Sequence, residues 1–242
     1  MSGYVRAFNR WELKYLIHHS LATEFVQAIS AHVDYDQNVG REGFYKVASL
    51  YYDSPGLSCF WEKLDGEKFR RKVRVRTYGE QPEYAFAEIK QRYNKSVQKR
   101  RCRAPLEVVS QQMQAMRNGK YQGGVDPVFD EIFLLTRRLN LRETVIVSYN
   151  RMAFFDRYKA DLRITIDRNI RARNLDLNLT QHRTKGRHMV APTSVVLEVK
   201  FNETIPRWLC TVLSSFDLQI DRVSKYCTGV EALGMHLKKV LA

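Results

Sequence analysis

The feature that most constrains this chain is a set of segments in which every second residue is charged. In Lys72-Val73-Arg74-Val75-Arg76-Thr77-Tyr78, the cations Lys72, Arg74 and Arg76 fall on one face of a period-two strand and Val73 and Val75 on the other. Glu88, Lys90 and Arg92 oppose Ala87 and Ile89 in the same way. Arg163, Thr165 and Asp167 oppose Leu162, Ile164 and Ile166, and Glu198 and Lys200 oppose Leu197, Val199 and Phe201. The segment from Val145 to Phe155 divides less cleanly, because Arg151 shares its face with Val147 and Tyr149. One charged strand face is ordinarily the solvated side of a half-buried sheet. Several carrying the same mixture of cation and carboxylate predict a common destination. If the apolar faces pack under helices, an α+β fold follows: a mainly antiparallel barrel with a polar lumen and helices outside. Unpaired buried cations are costly, so such a lumen holds water or an anionic ligand.

Size and composition permit this fold. The chain has 242 residues, 44% hydrophobic and 12% aromatic, which supports a core and excludes a disordered chain. A formal net charge of +14 selects phosphates, nucleic acids or acidic membranes as partners without choosing among them. Cys59, Cys102, Cys210 and Cys227 have no CxxC or metal-ligand spacing and read as reduced thiols. The opening MSGYVRAFNRWELK lacks the apolar stretch of a signal peptide, and no apolar run reaches bilayer-spanning length. The expectation is a cytoplasmic protein whose residues 1–242 form one domain, with its oligomeric state unread.

Helix signals are short and peripheral. Leu21, Phe25, Ala28, Ile29 and Val33 follow helical spacing behind Ser20 as N-cap. Further helices are predicted over 55–64, 105–117, 127–139, 206–216 and 224–241, with Pro105 and Pro127 in first turns. The histidines are scattered: His18-His19 reads as an exposed pair, and His182 and His188 share a solvated basic loop with Arg183, Lys185 and Arg187. Trp11, Trp61 and Trp208 read as packing residues, whereas Tyr78 and Tyr226 fit either packing or stacking.

Nine short motifs then occur in a telling order. They are Arg10-Trp11-Glu12-Leu13-Lys14-Tyr15, Tyr51-Tyr52-Asp53-Ser54, Arg71 through Tyr78, Glu88-Ile89-Lys90, Ser96-Val97-Gln98-Lys99-Arg100, Tyr149-Asn150-Arg151, Arg163 through Asp167, Leu197-Glu198-Val199-Lys200 and Ser224-Lys225-Tyr226. The series resembles the VTC (vacuolar transporter chaperone) domain, the polyphosphate polymerase branch of the triphosphate tunnel metalloenzymes. The resemblance runs from about Phe8 to Tyr226. It implies an eight-stranded tunnel-shaped barrel that transfers the terminal phosphoryl group of ATP to a growing polyphosphate chain, with Mn²⁺ or Mg²⁺ as cofactor. Carried over by motif, Lys14, Arg74, Arg76, Lys90, Arg151, Lys200 and Lys225 are implied phosphate ligands. Lys99 joins them, on a local alignment over Gln98-Lys99-Arg100-Arg101 that admits a slip of one residue. Lys72 and Arg163 join them from the charged strand faces. Arg74, Arg76, Lys90, Arg151 and Lys200 are the implied catalytic set. Glu198 is the implied metal ligand, with Glu12 as a second, and Asp167 is a lumen residue without a role.

The residue types suit that chemistry on their own terms. Phosphoryl transfer passes through a loose transition state, so a protein mainly positions groups and neutralises charge. Arginine forks match phosphate geometry, lysines supply point charges, and a carboxylate can hold a divalent cation on the phosphates. Hydrolytic relatives carry Glu-x-Glu-x-Lys on the first strand, whereas this chain reads Arg10-x-Glu12-x-Lys14, which suits transfer better than activation of water. A triphosphatase or nucleotidyl cyclase of the same fold is the first alternative. A non-catalytic polyphosphate or nucleic-acid binder is the second. Nucleic acid is not the expected partner, because the strand Lys72 to Arg76 has no interleaved aromatic residue. Removing Arg74 or Arg76 is expected to cost about 2–4 kcal/mol of transition-state stabilisation with little effect on folding, since the lumen cations would repel one another.

Overall fold

Strand alternation resolves into a single antiparallel sheet. The computed structural model describes residues 6–8, 11–40, 43–94, 96–158, 161–179, 185–221 and 223–239. With strands numbered along the chain, the hydrogen-bonded order is β1 (Arg6–Phe8), β7 (Ser96–Pro105), β6 (Tyr84–Tyr93), β5 (Phe69–Tyr78), β4 (Tyr45–Asp53), β8 (Arg142–Asp156), β9 (Arg163–Arg173), β11 (Ser194–Phe201) and β2 (Trp11–His18). Two short strands lie off this path: β3 (Val33–Tyr35) pairs with β8, and β10 (Arg187–His188) with β9.

The path curls until its ends are close. Its terminal strands, β1 and β2, are successive in sequence, and Phe8 and Trp11 are separated by at most ~11 Å of chain. Lys90 Nζ on β6, near one end, lies 3.4 Å from Glu12 Oε2 on β2 at the other. Side chains from the two ends meet only if the face that carries them is concave. Among the described residues nine strands form this path, and the sheet is strongly curved and tunnel-like without closing into the eight-stranded barrel that the resemblance implies.

Helices cover both faces of this wall. On the outer face, α3 (Leu106–Arg117) and α4 (Pro127–Leu139) bury Ala48, Leu50, Val73, Val75, Ala87 and Ile89. Also outside, α1 (His19–Ile29) and α5 (Arg207–Ser215) bury Tyr15, Ile17, Ile164, Ile166, Leu197 and Val199. These four match the expectation of helices outside. Two more, α2 (Ser58–Leu64) and α6 (Lys225–Ala232), pack on the inner face against Val47, Tyr51, Val145, Val147, Ile170 and Ala172. Gly229 makes the close approach of α6 possible, because a Cβ there would meet Val147 Cγ2 at 3.3 Å and Ala172 Cβ at 3.4 Å.

Several sequence expectations shift at element ends. The N-cap of α1 is His18, whose ring accepts from the Ser20 amide at 3.4 Å, so Ser20 lies inside the helix. Val33 begins β3 instead of continuing α1. Pro105 occupies the cap position of α3. The helix expected over 224–241 ends at Ala232: Gly234 adopts φ +65° and a 3₁₀ turn, Met235–Lys239, follows. Trp11 is exposed instead of packed, while Trp208 stacks on His32 at 4.4 Å. Asn9, Arg10, His182 and Arg183 lie outside the described residues.

Candidate functional site

The inner face gathers charge into two linked clusters. The first is built by β2, β8, β9 and β11 with the first residue of α6. Register places Glu198 opposite Lys14 on one side and Thr165 on the other, and Lys200 opposite Glu12 and Arg163. Glu198 Oε2 accepts from Lys200 Nζ at 2.7 Å and lies 3.8 Å from Arg151 Nη2, while its Oε1 is 3.5 Å from Lys14 Nζ. Arg151 donates through Nε and Nη2 to the two oxygens of Asp167 at 2.7 and 2.8 Å. Lys225 Nζ reaches Asp167 Oδ2 at 2.6 Å. Asp167, without an assigned role in the sequence, therefore fixes Arg151 and anchors α6.

The second cluster lies across β5, β6 and β7. Arg74 Nε donates to Glu88 Oε2 at 2.6 Å, and Lys99 Nζ sits 2.5 Å from Glu88 Oε1. Arg76 Nε donates to Ser49 Oγ at 2.9 Å, and Arg74 Nη1 to the Tyr51 hydroxyl at 3.2 Å. Lys99 points inward, and Arg100 points outward to the Glu131 carboxylate on α4. Lys90 joins the clusters, since Glu12 lies within 3.7 Å of Lys90, Lys200 and Lys14.

Two expected members sit at the margins. Lys72 faces α6, with Nζ 3.4 Å from Ser224 Oγ and 5.0 Å from the Tyr226 ring centroid. Arg163 donates to Asp36 at 2.8 Å and to the Tyr45 hydroxyl at 3.1 Å, on the side away from α6. Tyr226 is a packing residue: it is buried and donates to Asp53. Asp53 in turn accepts from the Cys59 amide at 2.9 Å and the Phe60 amide at 3.2 Å, so one buried carboxylate ties α2 to α6.

The mixture of cation and carboxylate read from the strand faces becomes a set of specific ion pairs in the lumen, in place of cations that repel one another. Glu12, Glu88, Asp167 and Glu198 are interleaved with the more numerous cations, and removing a cation would leave a buried carboxylate uncompensated. The expectation that losing Arg74 barely affects folding is therefore corrected: Glu88 is 1% exposed and depends on it. Electrostatics follow the packing. Burial would raise the Glu198 carboxyl, but Lys200, Lys225 and Lys14 hold it well below the usual carboxylate range. Burial would likewise raise Glu88, and Arg74, Arg76 and Lys99 outweigh it. Among the cations, burial pushes Lys99 down to about 7, with Arg74 and Arg76 adding to the effect and Glu88 opposing it. Burial also lowers Lys200 to about 8 against Glu198 and Glu12. Burial would raise Tyr51, yet Arg74 and Arg76 bring it to about 8.

Among the described residues, no three carboxylate, histidine or cysteine side chains converge as a metal cage. Glu12 and Glu198 nevertheless form a two-carboxylate oxygen set around Lys14 and Lys200. A hard divalent cation that shares its coordination with substrate phosphates needs only one or two carboxylates. The pair fits such an ion.

Comparison with known proteins places most of the sequence in a family. The family model for the VTC domain matches residues 9–234. No curated protein sequence matches the chain. In structure, the chain is similar to a Bacillus halodurans protein described as a candidate adenylate cyclase, at 13% identity and TM-score 0.52, covering 93% of this chain and 96% of that one. A Vibrio parahaemolyticus protein with the same description aligns at 10% identity and TM-score 0.46, covering 92% and 98%. The first likeness supports the fold alone.

Proposed function

Because the chain belongs to the VTC domain family, we propose that its inner face binds a phosphate chain and transfers the terminal phosphoryl group of ATP to polyphosphate. The observation that carries this reading is the excess of arginine and lysine over carboxylate on a concave, mostly buried face. The oxyanion at the end of the acceptor chain attacks the γ-phosphorus, the bond to the β–γ bridging oxygen breaks, and ADP leaves with that electron pair. The attacking oxygen is already ionised, so no general base is required. Arg74, Arg76 and Arg151 supply planar forks for the equatorial oxygens, and Lys90, Lys99, Lys200 and Lys225 neutralise neighbouring charge. Lys14 belongs with them through Glu198, while Lys72 and Arg163 serve the ends of a bound chain. Glu12 and Glu198 would hold Mn²⁺ or Mg²⁺, which would neutralise charge on the phosphate oxygens.

Incubation of the protein with ATP and Mn²⁺ tests the proposal, read by gel staining for polyphosphate and by separate assays of cyclic AMP and free phosphate. Polymer is expected. Cyclic AMP or phosphate without polymer would replace transfer by cyclisation or hydrolysis. In Glu198→Gln, polymer synthesis should collapse while metal-free tripolyphosphate binding holds or tightens. Unchanged synthesis by that variant would remove Glu198 from the metal role.

A further inference from the structure

Among the ion-paired cations of the two clusters, exposure is greatest along one flank of the charged face. Side-chain exposure is 42% at Lys90 and 39% at Lys99, against 6% at Arg151 and 0% at Asp167. The opening thus lies along β6 and β7, away from α6. Beyond it the composition of the inner face changes. Register sets Phe86 opposite Arg103 and Glu88 opposite Arg101, so Tyr84, Phe86, Arg101 and Arg103 extend the face that carries Glu88 and Lys99. Arg101 lies over the Phe86 ring at 5.3 Å and Arg103 over the Tyr84 ring at 4.0 Å. Tyr78 backs Phe86 edge-on at 5.5 Å. Arg101 and Arg103 are exposed and have no ion pair among the described residues, whereas Lys99 beside them and Arg74 and Arg151 deeper in are each held by a carboxylate.

We infer that this aromatic–guanidinium strip binds the base of a nucleoside triphosphate whose phosphates lie on the Arg74–Lys99 cluster. The inference rests on the phosphate-chain reading and adds to it the place and orientation of the nucleoside. Phosphate gains nothing from aromatic faces, whose π-clouds present negative charge. A nucleobase gains from both components, by stacking on the rings and on the guanidinium planes. The reach is suitable: Lys99 to Arg103 spans four strand residues, ~13 Å at about 3.3 Å each. The nucleotide therefore lies with its base at the open flank and its terminal phosphate directed inward, toward Glu198 and Arg151. Because stacking tolerates any base, purines are favoured by area and not by hydrogen-bond readout.

The experiment compares ATP with tripolyphosphate, which offers phosphates without a base, by metal-free calorimetric titration of wild type, Phe86→Ala and Tyr84→Ala. Thermal melts establish that each variant is folded. ATP binding should weaken about tenfold or more while tripolyphosphate affinity stays within twofold. In parallel, irradiation with an azido-adenine analogue of ATP should label peptides containing Tyr84, Phe86 or Arg103. Equal losses for both ligands, no loss for either, or labelling confined elsewhere would overturn the base site and leave the phosphate-chain reading standing. Failure of tripolyphosphate to bind the wild type would strike at the phosphate-chain reading itself, and the base site would fall with it.

Discussion

Asp167 positions two cations of the candidate site at once. Both of its oxygens are committed to Arg151, and one also holds Lys225. Replacing it with Asn leaves a buried guanidinium without its counter-charge, which costs about 3–5 kcal/mol. Urea denaturation of Asp167→Asn should show that loss, and added tripolyphosphate should restore part of it by supplying anion to Arg151. A second residue-scale consequence concerns Lys99 and Lys200, lowered to about 7 and about 8. Both are ammonium ions below pH 7 and lose protons as pH rises through these values. A polyanion requires the charged forms, so binding above pH 7 must take up protons, and affinity falls with rising pH. In Lys99→Arg, which stays charged, tripolyphosphate affinity measured from pH 6.5 to 9 should fall less steeply than in wild type. Identical slopes would show that Lys99 does not titrate in the site.

At the scale of elements, legibility depended on whether a strand had one polar face. The charged faces of β5, β6, β9 and β11 were visible in the sequence because helices cover only their other side where the cations lie. β4 was not visible as a strand. Ala48, Leu50 and Tyr52 are buried outside, and Tyr45, Val47 and Tyr51 inside under α2 and α6, so its pattern is continuous instead of alternating. The same inner helices explain why β8 divides poorly, with Val147 and Tyr149 packed under α6 and Arg151 just beyond them. On β9, Asn169 and Ile170 together oppose Tyr149, with Asn169 at φ +53°, and this bulge keeps Ile170 and Ala172 on the inner side past Asp167. Glu88 was seen on its face but not as the counter-ion of Arg74 and Lys99, because cross-strand register is not written in either strand alone. Position 229 tests the packing of α6. In Gly229→Leu the added atoms meet Val147 and Ala172, and overpacking costs about 1–3 kcal/mol. Denaturation should show this loss together with weaker tripolyphosphate binding, since α6 carries Lys225. Wild-type stability would contradict the tight inner packing.

For the whole molecule, the sheet uses its two faces differently. Outside, apolar side chains pack under four helices and supply ordinary core stability. Inside, α2 and α6 fill one end, and the rest of the face holds cations interleaved with carboxylates. This arrangement keeps the ligand-free lumen paired yet leaves a positive excess that a phosphate chain can neutralise. It follows that a polyanion should stabilise the whole fold by mass action. The most direct measurement is the thermal midpoint at low salt, without metal, with and without tripolyphosphate at about 100 times its Kd. That occupancy corresponds to about 2.7 kcal/mol and a rise of about 5–10 °C for a chain of this size. The rise should shrink in Arg74→Ala and Arg151→Ala and weaken with added salt. A wild-type midpoint that does not move with saturating tripolyphosphate would contradict the phosphate-chain site.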